Sequence, residues 1–374
     1  MPSSTSSSDP SPSVWRRFFR LAAGTAAIGA AAVYLFVVLV DPFDTLPLSV
    51  PADRSPVSTN ARFSFPALAR SARFDAAIFG TSTSRLLRPV VLDPLFDARF
   101  ANLAVNDATP YEQRRLMALF IAAHPDARAI ILGVDVRWCT TGAPDVKFTP
   151  RPFPAWMYAH GHWYDRWRGY LEMFNLYAVQ EAGQQFGMLT GIKPPTYGRD
   201  GYTSFVPPDS EYDPAKVAQH MQGTVPDDPP GADARNGPPT QWRFPELEAL
   251  RERLARLSPQ TQRILFFVPN NHRLEPPASG PVASAWAACK EHAVALFPDA
   301  LVVDFMIPSP ITLNDSNYWD PRHYRVGIAD RIARGLAAAA AGDVSADYRI
   351  LSTPDPADHP LSEALPADGR GPPR

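Results

Sequence analysis

The chain has 374 residues, with 36 Lys and Arg against 38 Asp and Glu, a net charge of -2 at neutral pH. That balance leaves no broad basic surface and sets nucleic-acid binding aside. With 45% apolar and 20% charged residues, the chain can bury one large core.

In chain order, residues 1–20 read as a cytoplasmic leader. It opens on MPSSTSSSDPSPS, which buries too little apolar surface to offset its ordering entropy and is expected to be disordered. The next 20 residues, LAAGTAAIGAAAVYLFVVLV from Leu21 to Val40, carry no charge and at helical rise reach across the hydrocarbon layer. A transmembrane helix is therefore expected over 21–41. Arg16, Arg17 and Arg20 precede it and Asp41 and Asp44 follow, so the positive-inside rule keeps the N-terminus in the cytoplasm. The main domain is then periplasmic or otherwise extracytoplasmic. The apolar run is longer than a signal-peptide core and lacks a small-x-small cleavage site directly after it, so it reads as an uncleaved single-pass inner-membrane anchor.

Residues 42–70 read as a proline-punctuated stalk, and the folded domain spans 71–341. Its first strand signal is 74–79, ending at Gly80. An extended run follows at 99–105, a helical pattern at 110–123 and a continuous apolar run at 129–134, of the kind buried on both faces of a parallel sheet. After an interruption the alternation resumes: helix 245–257, strand 264–268, helix 282–296, strand 301–305 and helix 326–340. This pattern predicts an α/β fold, a three-layer α/β/α sandwich around a mostly parallel sheet. Ligands of such sheets bind beyond the carboxyl ends of the strands, where Ser82, Asp135 and Asn270 fall. The interruption, about 140–235, carries Trp156, Tyr158, Trp163, Tyr164, Trp167, Tyr170 and Phe174 and reads as a cap. Residues 342–374 read as a disordered tail.

Cys139 and Cys289 form neither a metal spacing nor a CxxC pair. The spacing leaves a bridge open, and two isolated thiols are the expectation. No dinucleotide loop, P-loop or zinc motif occurs. The chemistry-bearing strings are Gly80-Thr81-Ser82, after a strand, and Asp320-Pro321-Arg322-His323, ahead of the last helix. A serine hydroxyl needs an imidazole to take its proton and a carboxylate to hold that imidazole, and these strings supply all three. Such acyl chemistry calls for no metal or organic cofactor.

A strand ending in Gly-x-Ser near the start of a domain, with Asp-x-x-His near its end, resembles the SGNH/GDSL hydrolase superfamily. That resemblance implies Ser82 as nucleophile, His323 as general base and Asp320 as the orienting carboxylate. In the second block of the superfamily a glycine amide joins the oxyanion hole; here Ala101-Asn102-Leu103-Ala104 puts Ala104 in its place, with its backbone amide retained. The third block normally reads Gly-x-Asn-Asp, whereas Gly133-Val134-Asp135 places Asp135 where the oxyanion-binding asparagine belongs. A carboxylate there repels a developing oxyanion. Either Asp135 serves another role, such as capping or pairing with Arg137, or Asn102 or Asn106 supplies the amide, or activity is low or absent.

By layout the chain is similar to the membrane-anchored SGNH-like proteins of extracytoplasmic polysaccharide O-acetylation, of the alginate type. The resemblance implies an acetyl-ester or cell-envelope glycan substrate and a membrane acyl-transfer protein as partner. Aromatic faces of the insertion, with His160 and His162, suit sugar rings, and a hydrophobic cap core explains them equally. Arg85 reads as an anion-binding or surface arginine, and Asn270 as a substrate ligand or turn residue. The function expected is a serine esterase or O-acyltransferase, the alternative being a non-catalytic module of an acyl-transfer complex.

Overall fold

The computed structural model describes residues 11–49, 54–57, 61–140, 153–157, 164–227 and 242–354. Outside them lie residues 1–10 of the expected leader, 355–374 of the expected tail, most of the proline-rich run 226–239, and Tyr158, His160, His162 and Trp163 of the expected cap.

In chain order the helices are α1 (Pro12–Val40), α2 (Ala61–Leu68), α3 (Ser82–Arg85), α4 (Pro89–Phe96), α5 (Pro110–Ala123), α6 (Gly169–Glu172), α7 (Leu176–Leu189), α8 (Pro214–His220), α9 (Pro245–Leu254), α10 (Pro281–Leu296) and α11 (Val326–Ala340). The strands are β1 (Ala76–Phe79), β2 (Phe100–Asn102), β3 (Ala129–Val134), β4 (Gln262–Phe267), β5 (Leu301–Asp304) and β6 (Arg349–Ser352). The chain divides into two units, one of residues 1–52 and 154–194 and the other of residues 53–153 and 195–374.

In the first unit, α1 is long and apolar enough to cross a membrane. Its C-terminal part packs against α7: the Phe36 ring meets Phe186, and Tyr34 meets Phe174 just ahead of α7. The expected aromatic cap does not form one piece. Trp156, Tyr164, Trp167, Tyr170 and Phe174 belong to this unit, while residues 195–227 belong to the other.

The second unit holds a six-stranded sheet in the order β2-β1-β3-β4-β5-β6. The first five strands are parallel and β6 is antiparallel to β5. The apolar runs AAIF, AIILGV and LVVD are buried along their whole length, as strands inside a parallel sheet commonly are. Helix α11 closes the domain by burying Ala329, Ile332, Ala333 and Leu336, an apolar stripe at helical spacing.

Four expectations are corrected. The run 99–105 is a strand only at Phe100–Asn102, after which the chain turns over the end of β1, with the Val105 amide donating to Gly80 O at 3.0 Å. The stalk contains α2, whose Arg62 makes a two-pronged ion pair with the fully buried Glu112, at 2.7 and 3.0 Å. The tail supplies β6. Cys139 and Cys289 are bonded to each other rather than free, because the turn after β3 and α10 bring their Cα atoms to 5.6 Å although 150 residues separate them in sequence.

Candidate active site

The turn that presents Ser82 is built around a second serine, Ser84. β1 ends at Gly80, whose φ of +140° suits glycine, and a Cβ there would lie 2.1 Å from the Ser84 Oγ. On neighbouring β3, a Cβ on Gly133 would lie 1.9 Å from the same oxygen. Two glycines therefore open the slot that the fully buried Ser84 side chain fills. The chain is thereby turned into α3 with Ser82 at its first position, beyond the carboxyl end of the strand.

Asp320 and His323 come from a tight loop ahead of α11. Tyr318 and Tyr324 pair in antiparallel fashion, and the Trp319 amide donates to His323 O at 2.8 Å. Within that loop Asp320 Oδ1 accepts the backbone amides of Arg322 and His323 at 2.8 and 2.9 Å. Asp320 Oδ2 lies 2.7 Å from His323 Nδ1, and His323 Nε2 lies 2.7 Å from Ser82 Oγ. The buried Tyr324 hydroxyl donates to Thr83 O, so the residue after the histidine is fastened to the residue after the serine. Burial alone would raise the Asp320 carboxyl. The hydrogen bond and charge of His323, with the two backbone amides, outweigh it and hold the carboxyl below its ordinary range.

Ser82 and His323 open onto a cleft of about 390 Å³, lined also by Thr81, Thr83, Asp107, Asp135, Val136, Arg137, Val268, Asn270 and Arg322. Its size is that of a small-molecule site. Asn270 brings the one side-chain amide among the described lining residues and is almost wholly buried. Asp135 also faces the cleft, and burial raises its carboxyl above the ordinary value. Opposing that rise, the Thr81 hydroxyl donates to Oδ2 at 2.9 Å and the Arg137 amide to Oδ1 at 3.0 Å, with Arg137 and Arg322 adding positive charge. Asp135 thus caps the turn that follows β3, while the Arg137 side chain pairs instead with Asp107 at 2.7 Å.

The other expected oxyanion donors are not brought to the cleft. Asn102 is fully buried and spends its amide on Arg85 O and Leu87 O, at 3.0 and 2.8 Å. Its Oδ1 takes up the Ala104 amide at 3.2 Å, and neither residue lines the cleft. Asn106 does not line the cleft either, and its side-chain oxygen is buried without a partner. Arg85 is a buried residue rather than a surface or anion-facing one. Its guanidinium lies over the Tyr197 and Phe205 rings, 5.2 and 5.9 Å from their centroids.

Sequence reasoning gave no role to four residues that shape the site. Phe205 sets its ring edge-on to the His323 imidazole, centroids 5.3 Å apart at 88°. Asp227 holds the Arg322 guanidinium through two 2.6 Å hydrogen bonds, which together with its charge raise the arginine's pKa further. Thr81 carries the bond to Asp135. Arg322 and Thr81 lie inside the two strings already singled out, whereas Phe205 and Asp227 sit in the insertion, where no motif marks them.

No protein-family profile matches the chain, and no curated protein is significantly similar to it.

Proposed function

We propose that the protein is a membrane-anchored, extracytoplasmic serine esterase or O-acyltransferase of SGNH-like, three-layer architecture, acting on an acetyl or related acyl ester with a cell-envelope glycan as substrate or acceptor. The observation that carries this reading is the chain of 2.7 Å contacts from Ser82 through His323 to Asp320. Ser82 Oγ attacks the acyl carbon while His323 Nε2 takes its proton. The tetrahedral intermediate collapses as the ester's alcohol leaves with that proton, giving an acyl-serine. Water or a sugar hydroxyl, deprotonated by His323, then attacks the acyl carbon, and Ser82 recovers the proton. The amides heading α3 have no acceptor within the helix and, with the Asn270 side chain, are the groups suited to meet the oxyanion.

The cystine supports an oxidising compartment, since such bonds persist outside the cytoplasm. The apolar α1 with Arg16, Arg17 and Arg20 ahead of it supports a cytoplasmic N-terminus. A membrane acyl-transfer protein as donor partner fits the same arrangement.

A second reading rests on Asp135, whose carboxylate faces the cleft where an oxyanion donor is expected: a non-catalytic, SGNH-fold module that binds polysaccharide or a partner. Labelling with a serine-directed fluorophosphonate separates the two. The enzyme reading expects covalent modification of the parent protein and none of Ser82→Ala. A folded parent that fails to react, or a Ser82→Ala variant that reacts equally, favours the binding module.

A further inference from the structure

The first unit carries an apolar surface that water does not explain. Leu171, Phe174, Leu176 and Ile192 are 78%, 70%, 88% and 80% exposed, and Phe186 and Leu189 extend the patch along α7. Helix α7 buries Glu181 and Gln185 along with Ala178 and Ala182, while Leu176, Phe186 and Leu189 stay exposed. So many large apolar side chains exposed within one stretch of about 20 residues point to a contact surface.

What covers it follows from where it touches α1. The Tyr34 hydroxyl donates to Tyr170 O at 2.8 Å, the Tyr34 ring meets Phe174, Phe36 meets Phe186, and Val37 is completely buried. Tyr34 lies six residues before Val40, the last apolar residue of the span, which at helical rise is about 9 Å. A segment packed on Tyr34 and Phe36 is therefore at the depth of the bilayer's outer leaflet whenever α1 spans it. Trp167 stacks on Tyr170 in the same segment, and such amphipathic rings concentrate at the headgroup level.

We infer that residues 164–192 form a second membrane element, an interfacial segment that seats Leu171, Phe174, Leu176 and the outer face of α7 in the outer-leaflet lipid beside α1. The inference rests on the membrane reading given under Proposed function. The depth matches that of in-plane helices, whose apolar faces sink about 5–10 Å. The aromatic residues here contact lipid rather than sugar.

The test uses the full chain reconstituted in phosphatidylcholine–phosphatidylglycerol vesicles, with a nitroxide label on Leu171→Cys, Leu176→Cys or Ile192→Cys singly. Cys139 and Cys289 are bonded to each other and take no label. Power saturation is read with oxygen, which partitions into lipid, and with a water-soluble nickel chelate. The expected result is strong relaxation by oxygen and loss of relaxation by nickel at all three sites, with Ile28→Cys in mid-α1 giving the same sign. Nickel access at the three sites while the Ile28 label sits in lipid overturns the interfacial element and leaves the anchor standing. Protection from both reagents means that protein covers the patch, and it too overturns the proposal. Nickel access at Ile28 as well brings down the membrane reading and this inference with it.

Discussion

Replacing Asp320 by Asn exchanges one oxygen for an amide, and the backbone dictates which way that amide points. Oδ1 accepts the amides of Arg322 and His323 at 2.8 and 2.9 Å, so the Asn carbonyl must stay there, because the flipped side chain would set donor against two donors. The NH2 group then occupies the Oδ2 position, 2.7 Å from His323 Nδ1. A donor at that place requires Nδ1 to be unprotonated, which moves the imidazole proton to Nε2, facing Ser82 Oγ at 2.7 Å. The histidine keeps its position and loses the lone pair that takes the serine proton. The expected loss is about four orders of magnitude in rate, roughly 5 kcal/mol of barrier. It is measured as the rate of fluorophosphonate labelling of Ser82 and of acetate release from an activated ester, with a melting curve to show that the fold is intact. An Asp320→Asn protein that melts normally and reacts within about tenfold of the parent would refute the proton path.

Gly133→Ala pushes a methyl into the Ser84 Oγ, with Val268 and Phe266 at 3.0 and 3.2 Å behind it, and should cost about 1–3 kcal/mol in thermal unfolding. Ser84→Ala, which removes a buried hydroxyl without a partner, should be neutral or slightly stabilising alone and should restore part of the loss in the double variant; strict additivity would show that the two do not share a slot. Burial lifts the Glu275 carboxyl from 4.5 to about 7, so the folded state holds a proton there that the unfolded chain has released. Its contribution is present in acid and is lost as pH rises through that window. The melting temperature of the parent should therefore fall relative to Glu275→Gln between about pH 5 and pH 8, and parallel curves would contradict the assignment. Cys139→Ser should lower stability by about 2–4 kcal/mol and slow Ser82 labelling, since the bond pins the turn that begins at Asp135; in that variant, reductant should have no further effect on the melt.

The parts of the fold legible in the sequence are those whose patterning is continuous. AIILGV reads as a buried strand of a parallel sheet, and the stripe at Ala329, Ile332, Ala333 and Leu336 as the buried face of a helix. β6 was hidden because an edge strand of four residues, none of them fully buried, carries no long apolar run. α2 was hidden by Pro66, which reads as punctuation yet sits inside the helix. Asp320 and His323 were visible because three residues separate them on one loop. Phe205 and Asp227 reach the site by tertiary closure alone, and nothing in their neighbours' identity points there. Asn102 shows the converse: it follows the right strand, and its side chain is consumed in holding the backbone around Arg85 and Leu87.

Ser82 and His323, the nucleophile and base of the proposed mechanism, stand 241 positions apart in the primary chain. A polypeptide emerging N-terminus first exposes Ser82 long before His323 exists beside it, and during that interval the alcohol is inert. On the proposed reading, any product that ends before His323 lacks the base altogether, so the site can be assembled only once nearly the whole domain has been made.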